Sequence, residues 1–180
     1  LTAFSAFVLN RKALTIHVPD TEGRRPAIQG VLSKLAAVTD RAQYGKRQGF
    51  AAATRRYYGI EHPIYFKNAS AGFYTGFGDI RNVAKEVAGL IGDNRGLIFQ
   101  INTLGGNVAH PAFERISAFP HRARPFLAEL QAYYDKPSQE VHRLAAVRKV
   151  QSALTANGVN RHYRNYPDLD LANWESAYYG

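Results

Sequence analysis

Phe126-Leu-Ala-Glu-Leu-Gln-Ala-Tyr133 is the stretch whose reading decides the fold. Its residues alternate, with Leu127, Glu129, Gln131 and Tyr133 on one side and Phe126, Ala128, Leu130 and Ala132 on the other, the period of two of a β-strand. One face is apolar and must be covered by a second layer. The other is polar and aromatic; such a face is simply wet unless another domain covers it and makes it the wall of a cleft. Leu97-Ile-Phe-Gln-Ile-Asn102 repeats the pattern: Leu97, Phe99 and Ile101 share one face, and Ile98, Gln100 and Asn102 the other. The second face ends in two amides just before Gly105-Gly106. Such a strand end either lines a pocket where a flat ligand approaches the backbone closely or lies at a solvent-facing edge.

Working outward, further extended candidates are Phe4–Leu9, Leu14–Val18, Ile64–Tyr74 and Arg161–Tyr166, rich in aromatic and β-branched residues and bounded by Gly, Pro or Asn. Three segments carry helical periodicity. The first has Pro26 near its start and a stripe of Ile28, Val31, Leu32, Leu35 and Val38. The second starts at Asp79 as N-cap, runs through Ile80, Val83, Val87, Leu90 and Ile91, and stops at Gly92. The third follows Pro137-Ser138, places Val141, Leu144, Val147 and Leu154 at helical spacing, and ends at Asn157-Gly158. Strands outnumber helices and no regular βαβ alternation appears, so the pattern predicts an α+β fold, an antiparallel β-sheet with helices packed on one face. No linker, repeat or low-complexity stretch divides residues 1–180, which read as one domain.

The composition, 46% hydrophobic and 21% charged, is that of a folded globular protein. No apolar run approaches the roughly 20 residues of a membrane-spanning helix, so no membrane partner is expected. The absence of Cys and Met excludes disulfides, thiol catalysis and Cys-based zinc sites. Six scattered His lack ligand spacing, so no metal is expected. The net charge of +9 fits nucleic acid, an anionic surface, or an electropositive pocket. Its one dense patch, Arg41 to Arg56 with Lys46, Arg47 and Arg55, and the pair Arg24-Arg25, read as solvated faces rather than a nucleic-acid site. The chain lacks an initiator Met and opens directly on a strand pattern, as expected of a processed chain, a fragment or an incompletely determined sequence.

Gly72-Phe-Tyr-Thr-Gly-Phe-Gly78 does not have dinucleotide-loop spacing and reads as a strand end with a turn. Asn68-Ala-Ser70 matches a glycosylation triplet. The last eighteen residues, from Tyr163-Arg-Asn-Tyr-Pro-Asp-Leu-Asp to Trp174-Glu-Ser-Ala-Tyr-Tyr-Gly180, pack tyrosines, an amide and carboxylates into a Pro-broken segment, which reads as site chemistry rather than core packing. In a regular strand, Tyr163 and Asn165 would point one way and Arg164 and Tyr166 the other. A tyrosine base must lose a proton whose ordinary pKa is about 10, and Arg161, His162 and Arg164 are local groups that could stabilise the phenolate. Buried tyrosines with satisfied hydroxyls are the alternative.

Three blocks, Phe99–Asn107, the Ala-Phe-Pro-His-Arg run at 118–122, and Tyr163-x-Asn-Tyr-x-Asp-x-Asp170 with its trailing Tyr-Tyr-Gly, resemble in order and separation the berberine bridge enzyme-like branch of the vanillyl-alcohol oxidase superfamily. The resemblance covers roughly residues 95–180, and the earlier half more loosely. It implies the substrate-binding domain of an FAD-linked oxidase, an antiparallel sheet laid over the flavin with substrate between. The expected reaction is oxidation of a sugar, alcohol or polyketide hydroxyl, with dioxygen as acceptor. The FAD-binding domain and a C-terminal tail would lie outside these 180 residues. By the resemblance Tyr166 matches the catalytic base, and Gln100, Asn102, Glu129 and Gln131 face the substrate. Tyr163 supports the motif on the substrate side, Asn165 on the cofactor side, and His121-Arg122 organise the strand entry. The rival expectations are a ligand-binding domain without flavin and a basic nucleic-acid-binding protein.

Overall fold

A computed structural model describes residues 4–8, 13–17, 25–37, 47–55 and 63–180. Two compact units divide the chain, one over Val18–Pro63 and one formed by Thr2–His17 with Ile64–Gly180. In the first, α1 (Arg25–Ala36) starts with Pro26, whose missing N–H costs nothing in a first turn, and α2 spans Phe50–Thr54. The stripe Ile28, Val31, Leu32 and Leu35 lies on α1, none of it buried. Val38, Arg24, and Arg41, Lys46 and Arg56 of the basic patch lie outside the described residues.

The second unit holds a five-stranded sheet of β1 (Phe4–Val8), β2 (Ala13–His17), β3 (Tyr65–Tyr74), β4 (Leu97–Thr103) and β5 (Phe126–Tyr134). The spatial order is β2-β1-β4-β5-β3, and every pairing is antiparallel. This is the predicted α+β arrangement. β4 pairs along its whole length with Phe126 to Ala132 of β5, Gln100 opposite Glu129 and Ile98 opposite Gln131, which puts these polar side chains on one face. The apolar set, Leu97, Phe99, Ala128, Leu130 and Ala132, faces the other way and is at most 3% exposed.

That apolar face is covered by α3 (Ala84–Asp93) and α4 (Glu140–Ala156), which insert Val87, Ile91, Val147, Val150 and Leu154 into one core with the strands. Burying a side chain such as Leu130 or Ile91 contributes about 2 kcal/mol each. Two helix expectations need correction. Asp79 is not the N-cap of α3: it ends a 3₁₀ turn, Phe77–Asp79, and its carboxylate accepts from the Thr75 N–H at 2.6 Å and the Thr75 hydroxyl at 2.9 Å. The helix begins after Val83 and runs past Gly92 to Asp93. Val141, assigned to the buried stripe of α4, is 81% exposed, because the helix turns a face of Ala146, Val147, Val150, Ala153 and Leu154 to the sheet instead.

The run 161–166 is not a strand. It passes along the outer edge of β3 through the Phe73 N–H to Arg161 carbonyl bond at 2.9 Å and the Ser70 N–H to Tyr166 carbonyl bond at 3.2 Å, then turns at 164–166. Edge backbone groups are satisfied in this way without a sixth strand. Downstream, the segment read as too broken for a helix forms α5 (Trp174–Tyr179), entered through Asn173 at φ 55°.

β3 also carries a bulge between Ser70 and Gly72. Gly72 has φ +106°, and a Cβ there would meet Val159 Cγ1 at 2.2 Å, so both conformation and space demand glycine. Asn68-Ala-Ser70 lies within this paired strand with Ser70 only 3% exposed, which is no place for a glycan. The Gly72–Gly78 run is the strand end and turn its spacing predicts.

Candidate functional site

The face of the sheet opposite the helices carries the candidate site. Successive rungs across β4, β5 and β3 bring Ile98, Gln131 and Asn68 together, then Gln100, Glu129 and Ser70, then Asn102, Leu127 and Phe73. The polar members are linked side by side. Tyr133 Oη donates to Gln131 Oε1 at 3.2 Å, Gln131 Nε2 donates to Glu129 Oε1 at 2.6 Å, and Gln100 Nε2 donates to Asn102 Oδ1 at 2.9 Å. Asn102 and Glu129 are buried, at 7% and 6% exposure. The Asn68 Oδ1 atom is buried on this face with no hydrogen-bond partner. An unsatisfied buried carbonyl oxygen is costly and calls for a donor from outside.

The sheet edge brings Tyr166 to this row. The turn at 164–166 places the Tyr163 and Tyr166 rings edge to face, with centroids 5.2 Å apart, rather than on opposite sides as a regular strand would. The Glu129 carboxylate lies near enough to the Tyr166 phenol to act on its ionisation. Burial and then the neighbouring negative charge of Glu129 push the Tyr166 phenol well above its ordinary value. The cations expected to favour its phenolate are elsewhere. Arg161 donates to the Ser176 carbonyl at 2.9 Å, and Arg164 lies 5.9 Å over the Tyr179 ring. His162 is buried against the Ser70 carbonyl, and desolvation holds its pKa below the ordinary imidazole value. The group facing Tyr166 is thus an acceptor of its proton, not a stabiliser of its anion.

Behind Tyr166 stands an aromatic row. Phe73 stacks on His121 at 4.4 Å and meets Phe119 and Tyr163 edge to face at 5.7 and 5.9 Å. His121 Nε2 lies 3.2 Å from the Tyr178 carbonyl, and burial lowers its pKa. Arg122 ties the preceding loop together: its guanidinium donates to Ser117 Oγ at 2.8 Å and to the Asn107 and Val108 carbonyls at 3.0 and 2.7 Å, while sitting 5.4 Å over the Phe119 ring. Asn165 is exposed and donates to the Tyr163 hydroxyl at 2.8 Å.

The motif's two aspartates face away from this row. Asp168 accepts from Lys67 Nζ at 3.1 Å, Gln151 Nε2 at 2.8 Å and Arg148 Nη2 at 2.9 Å, and Arg148 also pairs with Asp170. These donors outweigh burial and hold the Asp168 carboxyl well below the usual carboxylate range. The Asp168 N–H donates to the Tyr178 hydroxyl at 3.0 Å, and the His162 N–H to the Ala177 carbonyl at 2.8 Å. Asp168 and Asp170 therefore clamp the C-terminal segment onto α4 and β3, and the Tyr178 hydroxyl braces it from within. Missed from sequence were Arg148 and Ser70, whose roles depend on which distant elements the fold makes neighbours. No group of three or more His, Asp or Glu suited to a metal occurs among the described residues.

The same fold occurs in part of several solved structures, among them flavoenzymes and a berberine bridge enzyme-like protein. The flavoenzyme CrmK, involved in shunt product recycling in caerulomycin biosynthesis, superposes with a TM-score of 0.78 at 19% identity over 99% of this chain and 42% of its own. The glycopeptide hexose oxidase DBV29, solved with teicoplanin, gives 0.75 at 20% identity over 98% and 41%. A variant of Physcomitrella patens BBE-like 1 gives 0.74 at 14% identity over 99% and 41%. The chain thus spans about two-fifths of the length of these proteins. No family model matches the chain, and no curated protein matches it in sequence.

Proposed function

We propose that this chain is the substrate-binding part of an FAD-dependent oxidoreductase that oxidises a hydroxyl-bearing substrate, such as a sugar, alcohol or polyketide, with dioxygen as the final acceptor. The observation that carries the reading is the polar row of Gln100, Asn102, Glu129 and Gln131 on one sheet face, with Tyr166 beside Glu129 at its edge. The donor set fits a flat heteroaromatic group. Gln100, Asn102 and Gln131 offer amides on one sheet face, and Asn68 Oδ1 is an acceptor in want of a donor. Gln100, Asn102, Gln131 and Tyr163 would orient the substrate, and Asn165 would contact the cofactor side. The flavin, when bound, supplies the hydride acceptor and its reoxidation by dioxygen.

The proton chemistry belongs to this chain. Because its pKa is raised, Tyr166 is a neutral phenol near neutral pH, so it cannot act as a preformed phenolate. It instead relays: its oxygen takes the substrate hydroxyl proton while its own proton passes to the Glu129 carboxylate. Tyr166 is neutral before and after, and Glu129 ends as a carboxylic acid. The chain Tyr133, Gln131, Glu129 orients that carboxylate through the 2.6 Å bond from Gln131.

The test is to purify the full-length protein, record its visible absorbance for bound flavin, and screen hydroxyl compounds for peroxide release. Flavin bands with substrate-dependent peroxide support the proposal. A colourless protein that binds such compounds without turnover replaces it with a ligand-binding domain.

A further inference from the structure

Ser70 sits where the two halves of the Tyr166–Glu129 pair are joined. It lies directly opposite Glu129 in the β3–β5 register, at the start of the bulge. All of its polar atoms are committed to the same locality. The Ser70 N–H donates to the Tyr166 carbonyl at 3.2 Å, and its carbonyl faces His162 Nδ1 at 3.2 Å. Its hydroxyl oxygen accepts from the Tyr163 N–H at 2.9 Å and from the Gly72 N–H at 3.3 Å. The residue is 3% exposed, so water does not substitute for these partners.

The bulge makes this arrangement possible. The extra residue in β3 offsets the strand so that the Ser70 and Phe73 N–H groups, three residues apart, both bind the 161–166 segment on the outer edge. The hydroxyl then holds the first tyrosine of the turn and the amide holds the second, so the turn is gripped at both ends by one residue. A regular strand with an apolar residue here would hold the segment at one end only, and Tyr166 would pivot.

We propose that Ser70 is the positioning residue of the Tyr166–Glu129 pair, setting the reach of the Tyr166 hydroxyl to the carboxylate by clamping the turn that carries it. This inference rests on the proton relay above for its catalytic consequence, but its structural half stands alone.

The experiment compares Ser70→Ala and Ser70→Thr in the full-length protein, each also with Tyr166→Phe, by near-ultraviolet titration of tyrosine ionisation and by steady-state kinetics. The difference between each variant and its Tyr166→Phe partner isolates Tyr166. In the parent, Tyr166 resists ionisation through the alkaline range. In Ser70→Ala it ionises at lower pH than in the parent, having left Glu129, while the buried Tyr74 stays unchanged. Turnover then falls about 100-fold in kcat with KM little altered. Ser70→Thr, which keeps the acceptor oxygen, retains the parental titration and rate. Ser70→Cys, of similar volume with a poorer acceptor, replaces alanine if that variant does not fold, and the same outcomes apply. A Tyr166 titration that does not move in the alanine or cysteine variant overturns the proposal. If Tyr166→Phe itself leaves turnover untouched, the relay fails, and the titration still decides whether Ser70 sets the pair.

Discussion

Tyr166 and Glu129 come from an edge segment and a central strand, 37 positions apart in sequence, and lie close enough that, after burial, the Glu129 charge raises the Tyr166 pKa. The sign of that effect decides what each group can do. A phenol beside an anion is a poor phenolate and a good relay, because an acceptor for its proton is already at hand.

Replacing the acceptor therefore has a signed consequence. Glu129→Gln removes the negative charge that, after burial, raises the Tyr166 pKa. Near-ultraviolet titration should show Tyr166 ionising at lower pH than in the parent, although still above the ordinary value because burial persists. Turnover should nevertheless fall by about 100-fold or more, since an amide cannot take the proton. Faster turnover in Glu129→Gln would mean that Tyr166 works as a phenolate after all.

The Asp168 clamp governs acid stability. Its folded pKa lies below that of an unfolded aspartate, so its contribution is fully present above about pH 4 and is lost as pH falls through the folded value. Asp168→Asn should cost about 3 kcal/mol at neutral pH, read by denaturant unfolding, because Arg148 and Lys67 lose their partner at a site where the aspartate is 3% exposed. Its stability should also fall less steeply with acid. The buried His121 and His162, both with lowered pKa values, add a separate loss that starts below about pH 6.5 and survives in Asp168→Asn.

Tyrosines set the alkaline limb. Tyr74 and Tyr166 both have raised pKa values, so the stability they contribute is complete below about pH 10 and is lost as pH climbs through their folded values. Tyr74→Phe should flatten this limb in thermal melts taken from neutral to strongly alkaline pH.

Gly72→Ala should destabilise by about 2 kcal/mol or more, since it combines a left-handed backbone with a 2.2 Å clash against Val159. Val159→Ala in the same chain should recover only the part due to the clash, leaving the conformational cost. Chemical denaturation of the single and double variants separates the two contributions.

The sheet was legible because β4 and β5 are half-apolar strands whose alternation leaves little choice of face, and the same alternation assigns Gln100, Glu129 and Gln131 to the polar faces of their strands. Helix starts were less legible. Asp79 has the chemistry of an N-cap, but its carboxylate closes a turn on Thr75, and one residue type serves both purposes. The 161–166 run has strand composition, yet it meets the β3 backbone through the Ser70 and Phe73 N–H groups and then turns; the bulge beside it leaves one trace in the sequence, Gly72. The aspartates were misread because an acid in a tyrosine-rich segment looks alike whether it faces a substrate or an arginine on a distant helix. Arg148 decides this, and its proximity to Asp168 is a property of the fold alone.

The most direct measurement is the rate of flavin reduction by substrate under anaerobic conditions in the full-length protein and its Tyr166→Phe variant. The relay predicts a fall of about 100-fold or more in the variant with substrate affinity preserved. An unchanged rate of reduction would contradict it, because the hydroxyl proton would then be leaving by a route that does not pass through Tyr166 and Glu129.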